Sequence, residues 1–205
     1  MAIVGKGNCS ISVSFPRSAF IIRTGKFADK KFVLSNKNYI DYPFCNDQND
    51  LIDIWLFANS DLVISTGSGP DYISIAYKVP TIYLNLLPLG TTHSWSKCLH
   101  ASKHLYWSKT KIHLTLEEYA AANFYYLKHY INKGIDIEEL SQDEILEVVK
   151  DGWNYFILKQ KVKKSDVELT AKLKSILKTS VIHKEKNSFF KSLKCMSDVK
   201  MTLTS

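Results

Sequence analysis

Residues 61–90, DLVISTGSGPDYISIAYKVPTIYLNLLPLG, constrain the fold of this chain more than any other stretch. Leu62, Val63 and Ile64 form a short apolar run rich in β-branched residues, the mark of a buried strand. Five small residues, Ser65-Thr66-Gly67-Ser68-Gly69, follow at once. Pro70 suits the first turn of a helix, where its missing N–H costs nothing, and Asp71 sets a negative charge at the favourable end of the helix dipole. Ile73, Ala76 and Tyr77 recur at helical spacing, Val79-Pro80 stops the helix, and Thr81 to Leu84 is again β-rich. Strand, tight turn, helix and strand in so little chain predict a βαβ unit, which belongs in a parallel sheet covered by helices.

The turn itself admits two readings. Glycine lets the backbone bend sharply and lets a ligand approach the main chain, and N–H groups at a helix start attract phosphate. Ser65, Thr66 and Ser68 add hydroxyls, and the turn falls at the carboxyl end of a strand, where open α/β sheets bind ligands. The same residues also make a plain βα connection with no ligand. Thr-Gly-Ser-Gly matches neither the Walker nor the dinucleotide fingerprint, so the turn alone does not choose.

With 205 residues, the chain is long enough for one domain with a substantial core. No run reaches the apolar length of a bilayer span, and the first fifteen residues, MAIVGKGNCSISVSF, lack the apolar core and basic front of a signal peptide. Cys9, Cys45, Cys98 and Cys195 are scattered, with no C-x-x-C pair, which points to a reduced, cytoplasmic setting. The net charge of +7 is uneven. From Lys159 onward, twelve lysines face only Asp166, Glu168, Glu185 and Asp198, so residues 159–205 form a basic helical tail and residues 1–158 the domain proper. Such a tail is a solvated helix face, or a contact to the inner face of an anionic membrane; no nucleic-acid partner is expected.

Ile11 to Phe15 alternates like a strand, and Phe20-Ile21-Ile22 is a second strand ending in Arg23-Thr24-Gly25-Lys26. An arginine at a strand end can fork onto phosphate, or simply lie at the surface of a loop. Lys31–Leu34 and Asn38–Tyr42 read as extended pieces, and residues from about Asp50 to Asn59 as a helix so apolar all round that it should be well buried. The order strand, strand, helix, strand, helix, strand is half of a doubly wound sheet. Residues 86–108 read as an irregular wall rich in polar and aromatic groups, with His93, His100 and His104 at spacings that fit no metal motif. Thr115 with Glu118, and Ser141 with Glu144, are capping-box pairs that open two helices, and residues 167–177 form a third amphipathic helix. The aromatic run from Tyr119 to Tyr126 reads as core or interdomain surface. No G-x-S-x-G elbow or local Cys/His pairing supports hydrolase chemistry.

Several segments, in one order, resemble a known family: IIRTGK (21–26), IDYPF (40–44), DLIDIWLFANSDLVISTGSGPD (50–71), VPTIYLNLLPLG (79–90) and HSWSK with KHLYW (93–107). From about Ile21 to Trp153 the chain is similar to the carboxyl-terminal half of bacterial glycosyltransferases of GT-B architecture, usually associated with surface-polysaccharide synthesis. The resemblance implies a Rossmann-like parallel sheet with flanking helices and a bound nucleotide sugar. It implies Thr66, Gly67, Ser68, Gly69 and Arg23 as phosphate contacts and Asp71 near the sugar or ribose; Asp41, Asn85 and His93, the last just beyond a strand end and equally readable as a structural histidine, are candidates for the site rim. It implies a glycan or lipid-linked acceptor, and neither metal nor cofactor, since main-chain N–H groups and basic side chains stabilise the leaving diphosphate. Such enzymes carry an amino-terminal domain for the acceptor, and only about twenty residues precede Ile21 here. The chain therefore reads as a donor-binding half, a fragment or one part of a split enzyme, with no residue assigned as catalytic base. A nucleotide-sugar epimerase half and a non-catalytic α/β binding module are the alternatives.

Overall fold

The computed structural model describes residues 19–26, 28–35, 37–89, 96–161, 164–179 and 199–201. The strand expected over 11–15 and the loop carrying His93 lie outside the described residues. The chain runs through strands β1 (Ile21–Arg23) and β2 (Tyr39–Asp41), a 3-10 turn at Tyr42–Phe44, helix α1 (Asp50–Ala58), β3 (Val63–Ser65), α2 (Asp71–Ala76) and β4 (Thr81–Leu86). It continues through β5 (Cys98–Ser102), β6 (His104–Trp107), α3 (Leu116–Ala121), α4 (Leu127–Asn132), β7 (Ile135–Glu138), α5 (Gln142–Phe156), α6 (Lys164–Thr179) and β8 (Val199–Met201).

The βαβ unit forms as its sequence dictates. β3 pairs in parallel with β4, Val63 opposite Thr81 and Ser65 opposite Tyr83, with α2 between them. β4, β5 and β8 extend this into a four-stranded, all-parallel sheet in the order β3-β4-β5-β8. β1 and β2 form a separate parallel pair, and β6 and β7 an antiparallel one. The molecule is thus a mixed α/β fold of parallel sheets with flanking helices, compatible with a Rossmann-like arrangement.

One face of the main sheet makes the larger core. Leu62, Ile64, Ile82, Leu84, Leu99 and Ala101 alternate onto it and meet Ile145, Val148, Val149 and Phe156 of α5. α5 can lie this close only because residue 152 is glycine. A Cβ there would stand 2.8 Å from Ile82 Cγ1 and closer still to Cδ1. On the opposite face Val63 packs against Phe57 of α1, Val79 and Ile73. A second core joins β6, α3, α4, β7 and α6 through Leu105, Tyr119, Tyr130, Ile135 and Leu173. Through Leu173 the helical segment beyond residue 158 is docked against the body of the molecule.

Four local expectations change. Lys31–Leu34 is irregular. α1 buries only Leu56 and Phe57, while Leu51, Ile54 and Trp55 face outward, because the helix is covered along a single side by α2 and the edge strand β3. Part of the wall expected over 86–108 is sheet: β5 lies buried between β4 and β8, and β6 pairs with β7. The aromatic run from Tyr119 to Tyr126 is core only in part: Tyr119 is buried and Tyr125 and Tyr126 are exposed, because α3 stops at Ala121 and the Tyr130 hydroxyl donates to the Ala122 carbonyl at 2.9 Å as the chain folds back.

Candidate functional site

The ligand-binding expectation falls on the carboxyl ends of β1 to β4. Ser65, the last residue of β3, is buried, and Thr66, Gly67 and Gly69 are exposed beyond it. Gly67 has φ +84°, a left-handed conformation that disfavours any side chain, and a Cβ there would press on Leu86 Cδ1 at 2.7 Å. Gly69 has neither constraint: no atom lies within 4 Å of where its Cβ would be.

Asp71 organises this turn from behind. Its carboxylate is buried and accepts from Ser65 Oγ at 2.8 Å and from the Ser68 N–H at 2.5 Å. Ser65 Oγ in turn accepts from the Gly67 N–H at 3.2 Å. The turn therefore holds its shape by side chains of its own segment, and two of its main-chain N–H groups already have an acceptor. The Thr66 hydroxyl and the Gly69 main chain lie on the exposed side, and the Gly69 N–H has no acceptor among the described residues.

Arg23 and Asp41 end the paired strands β1 and β2 opposite one another. Arg23 Nε lies 3.4 Å from Asp41 Oδ1, its Nη2 donates to the Lys30 carbonyl at 2.9 Å, and its guanidinium faces the Phe44 ring. The other Asp41 oxygen accepts from the Phe32 N–H at 2.6 Å. The Tyr39 hydroxyl is buried beside this pair, and its ionisation is pushed up by burial and then by the charge of Asp41. Arg23 is thus a neutralised, largely anchored cation with about a fifth of its side chain, 22%, in solvent.

Asn85 follows a different local logic. It takes φ +54° where the β4–β5 register shifts between Leu84 and Leu86, a conformation asparagine tolerates. Its Oδ1 accepts from the Leu140 N–H at 2.8 Å and so ties the end of β4 to the approach of α5.

Three buried residues that no motif singles out lie behind the turn. Tyr83, Cys98 and His100 share the face of the sheet opposite α5. The Tyr83 and His100 rings stack with centroids 5.0 Å apart, and Cys98 Sγ lies 3.0 Å from His100 Nε2. Burial and then the charge of Asp71 push the Tyr83 hydroxyl well above its usual range, so it stays protonated. Tyr83 pairs in register with Ser65, so this polar row begins beside the turn. The signal was present in the alternation of Thr81-Ile82-Tyr83-Leu84 and Cys98-Leu99-His100-Ala101, one face apolar and the other polar. At essentially zero exposure these groups are interior and are not open to a ligand.

His104, grouped above with His93 and His100, pairs instead with Glu144 at 2.9 Å. Among the described residues no group of three or more His, Cys, Asp or Glu side chains could hold a metal ion, and no helix is long and apolar enough to cross a membrane. Comparison with protein-family models, curated proteins and solved structures finds no match to this chain.

Proposed function

We propose that this chain is the nucleotide-sugar-binding half of a glycosyltransferase of GT-B type, which passes a sugar to a surface-glycan or lipid-linked acceptor once a second domain supplies the acceptor site and base. The observation that carries the reading is the exposed turn Thr66–Gly69, held in shape by Asp71 at the carboxyl end of a parallel strand. A diphosphate would approach the Thr66 hydroxyl and the Gly69 main chain, with Arg23 as a second contact. Asp41 offsets the charge of Arg23, and Asp71 sets a negative charge behind the turn, so recognition would rest on directed N–H and O–H groups rather than on a positive field.

Gly69→Val is the discriminating variant. It places a branched side chain where phosphate would come, and no neighbour opposes it. Nucleotide-sugar binding measured by calorimetry should fall at least about ten-fold while the melting temperature holds. Unchanged affinity in a variant that folds would sink the assignment of the turn. Gly67→Val cannot serve, because the side chain would strain the turn and displace Leu86.

A non-catalytic α/β binding module is the second reading. Closure of the turn by Asp71, which takes the Ser68 N–H and the Ser65 hydroxyl, favours it. Co-purification of a partner together with failure to bind any nucleotide would select it.

A further inference from the structure

The segment 124–133 leaves an unusual surface. Tyr125, Tyr126, Leu127 and Ile131 are exposed to 64%, 65%, 62% and 62%. Isolated apolar side chains on a surface need no explanation, but four within seven residues form a contiguous ridge. Leu127 and Ile131 stand one helical turn apart, on one face of α4. The ridge rests on a packed base. Tyr130 is buried beneath it, stacked edge-on against Phe124 at 5.1 Å and hydrogen-bonded to Ala122.

Its charge is of one sign. Lys128 and Lys133 are exposed within it, Lys128 lying 5.7 Å from the centre of the Tyr126 ring, and no Asp or Glu occurs between Glu118 and Asp136. Asp136 itself is held by Lys111 at 2.6 Å. The 108–112 turn joins this end of the molecule, the Ser108 N–H donating to the Gly134 carbonyl at 2.8 Å, and adds exposed Ile112 and Lys109. Tyrosines with aliphatic tips and unopposed lysines match the chemistry of an anionic lipid interface. Rings settle at headgroup level, aliphatic tips reach the acyl boundary, and ammonium groups meet phosphate. Exposed leucine and isoleucine argue against a nucleic-acid partner, which would call for stacking rings and cations alone.

We propose that the Tyr125–Ile131 ridge docks this chain onto an anionic membrane surface, with Lys128 and Lys133 supplying the charge recognition. This docking is separate from the glycine turn and from the lysines beyond residue 180, and it stands whether or not the turn binds a nucleotide.

Co-sedimentation of the full chain with phosphatidylcholine vesicles, with and without about a third phosphatidylglycerol, tests it. Binding should require the anionic lipid and weaken with salt. Lys128→Gln with Lys133→Gln should weaken it about thirty-fold, at about five-fold per lysine. Leu127→Asp with Ile131→Asp should remove it, and both pairs should melt like the parent because every altered side chain is exposed. Vesicle binding that survives both pairs but vanishes when Lys184, Lys186, Lys191 and Lys194 become Gln overturns the proposal in favour of the tail. Absence of binding to anionic vesicles overturns it outright. So does a concentration-dependent dimer that Leu127→Asp dissolves in the absence of lipid.

Discussion

At the scale of single residues, Asp71 has the most to explain. Its carboxylate is buried, and it is the acceptor for Ser65 Oγ and the Ser68 N–H. Removing it leaves buried donors without an acceptor, which costs about 1–3 kcal/mol. Asp71→Ala should therefore lower the unfolding free energy by about that amount in a denaturant titration and loosen the turn, whatever the ligand. Gly152 is the complementary case, a residue whose value lies in what it lacks. Gly152→Val would force a branched side chain onto Ile82 at the crossing of α5 and β4. Overpacking of this kind costs about 1–3 kcal/mol, more than the roughly 1 kcal/mol that losing a helical glycine returns. The same titration should show net destabilisation, and Ile82→Ala in the same chain should recover part of it.

At the scale of elements, two helices begin on the same device. Thr115 and Ser141 each accept from the N–H three residues on, and Glu118 and Glu144 reach back to the cap. Glu144 does more: its second oxygen meets His104 of β6, so one side chain caps α5 and fastens the β6–β7 pair to it. Bonding to the Thr115 N–H and hydroxyl holds Glu118 below its ordinary value of 4.5. The group is thus more acidic folded than unfolded. Its stabilisation is present above the unfolded value and is lost as pH falls through the lower, folded one. Glu118→Gln should flatten that part of the stability–pH curve. Ser141→Ala should cost about 1 kcal/mol at neutral pH.

These elements also show what a sequence can disclose. The βαβ unit was legible because local signals agree: a β-branched run, small residues, Pro80 as a stop. The capping boxes were legible because they are short-range chemistry. β5 carries its alternation in Cys98-Leu99-His100-Ala101-Ser102, but the polar face masks a buried strand as loop, and nothing local says that Tyr83 waits to stack on His100. The exposure of α1 was hidden for the same reason, since its composition says how apolar it is and only the sheet order says which side is covered. Of the candidate site, Thr66–Gly69 could be read as a turn. That Asp71 would close it from behind, and that Asp41 would pair with Arg23, depends on contacts between elements.

At the scale of the whole molecule, two cores divide the work. The four-stranded parallel sheet with α5 carries the turn on its strand ends, and the second core of α3, α4, α6 and the β6–β7 pair presents the Tyr125–Ile131 ridge. A donor site and a membrane-docking surface on one chain would suit a transferase acting on a lipid-linked acceptor. Each part is separately testable, and the donor site is the central one. Calorimetry of the full folded chain against a panel of nucleotide sugars measures it most directly. The account expects saturable heat with at least one nucleotide sugar and little with the free sugars. No heat with any of them, from protein whose melting transition is intact, would contradict it.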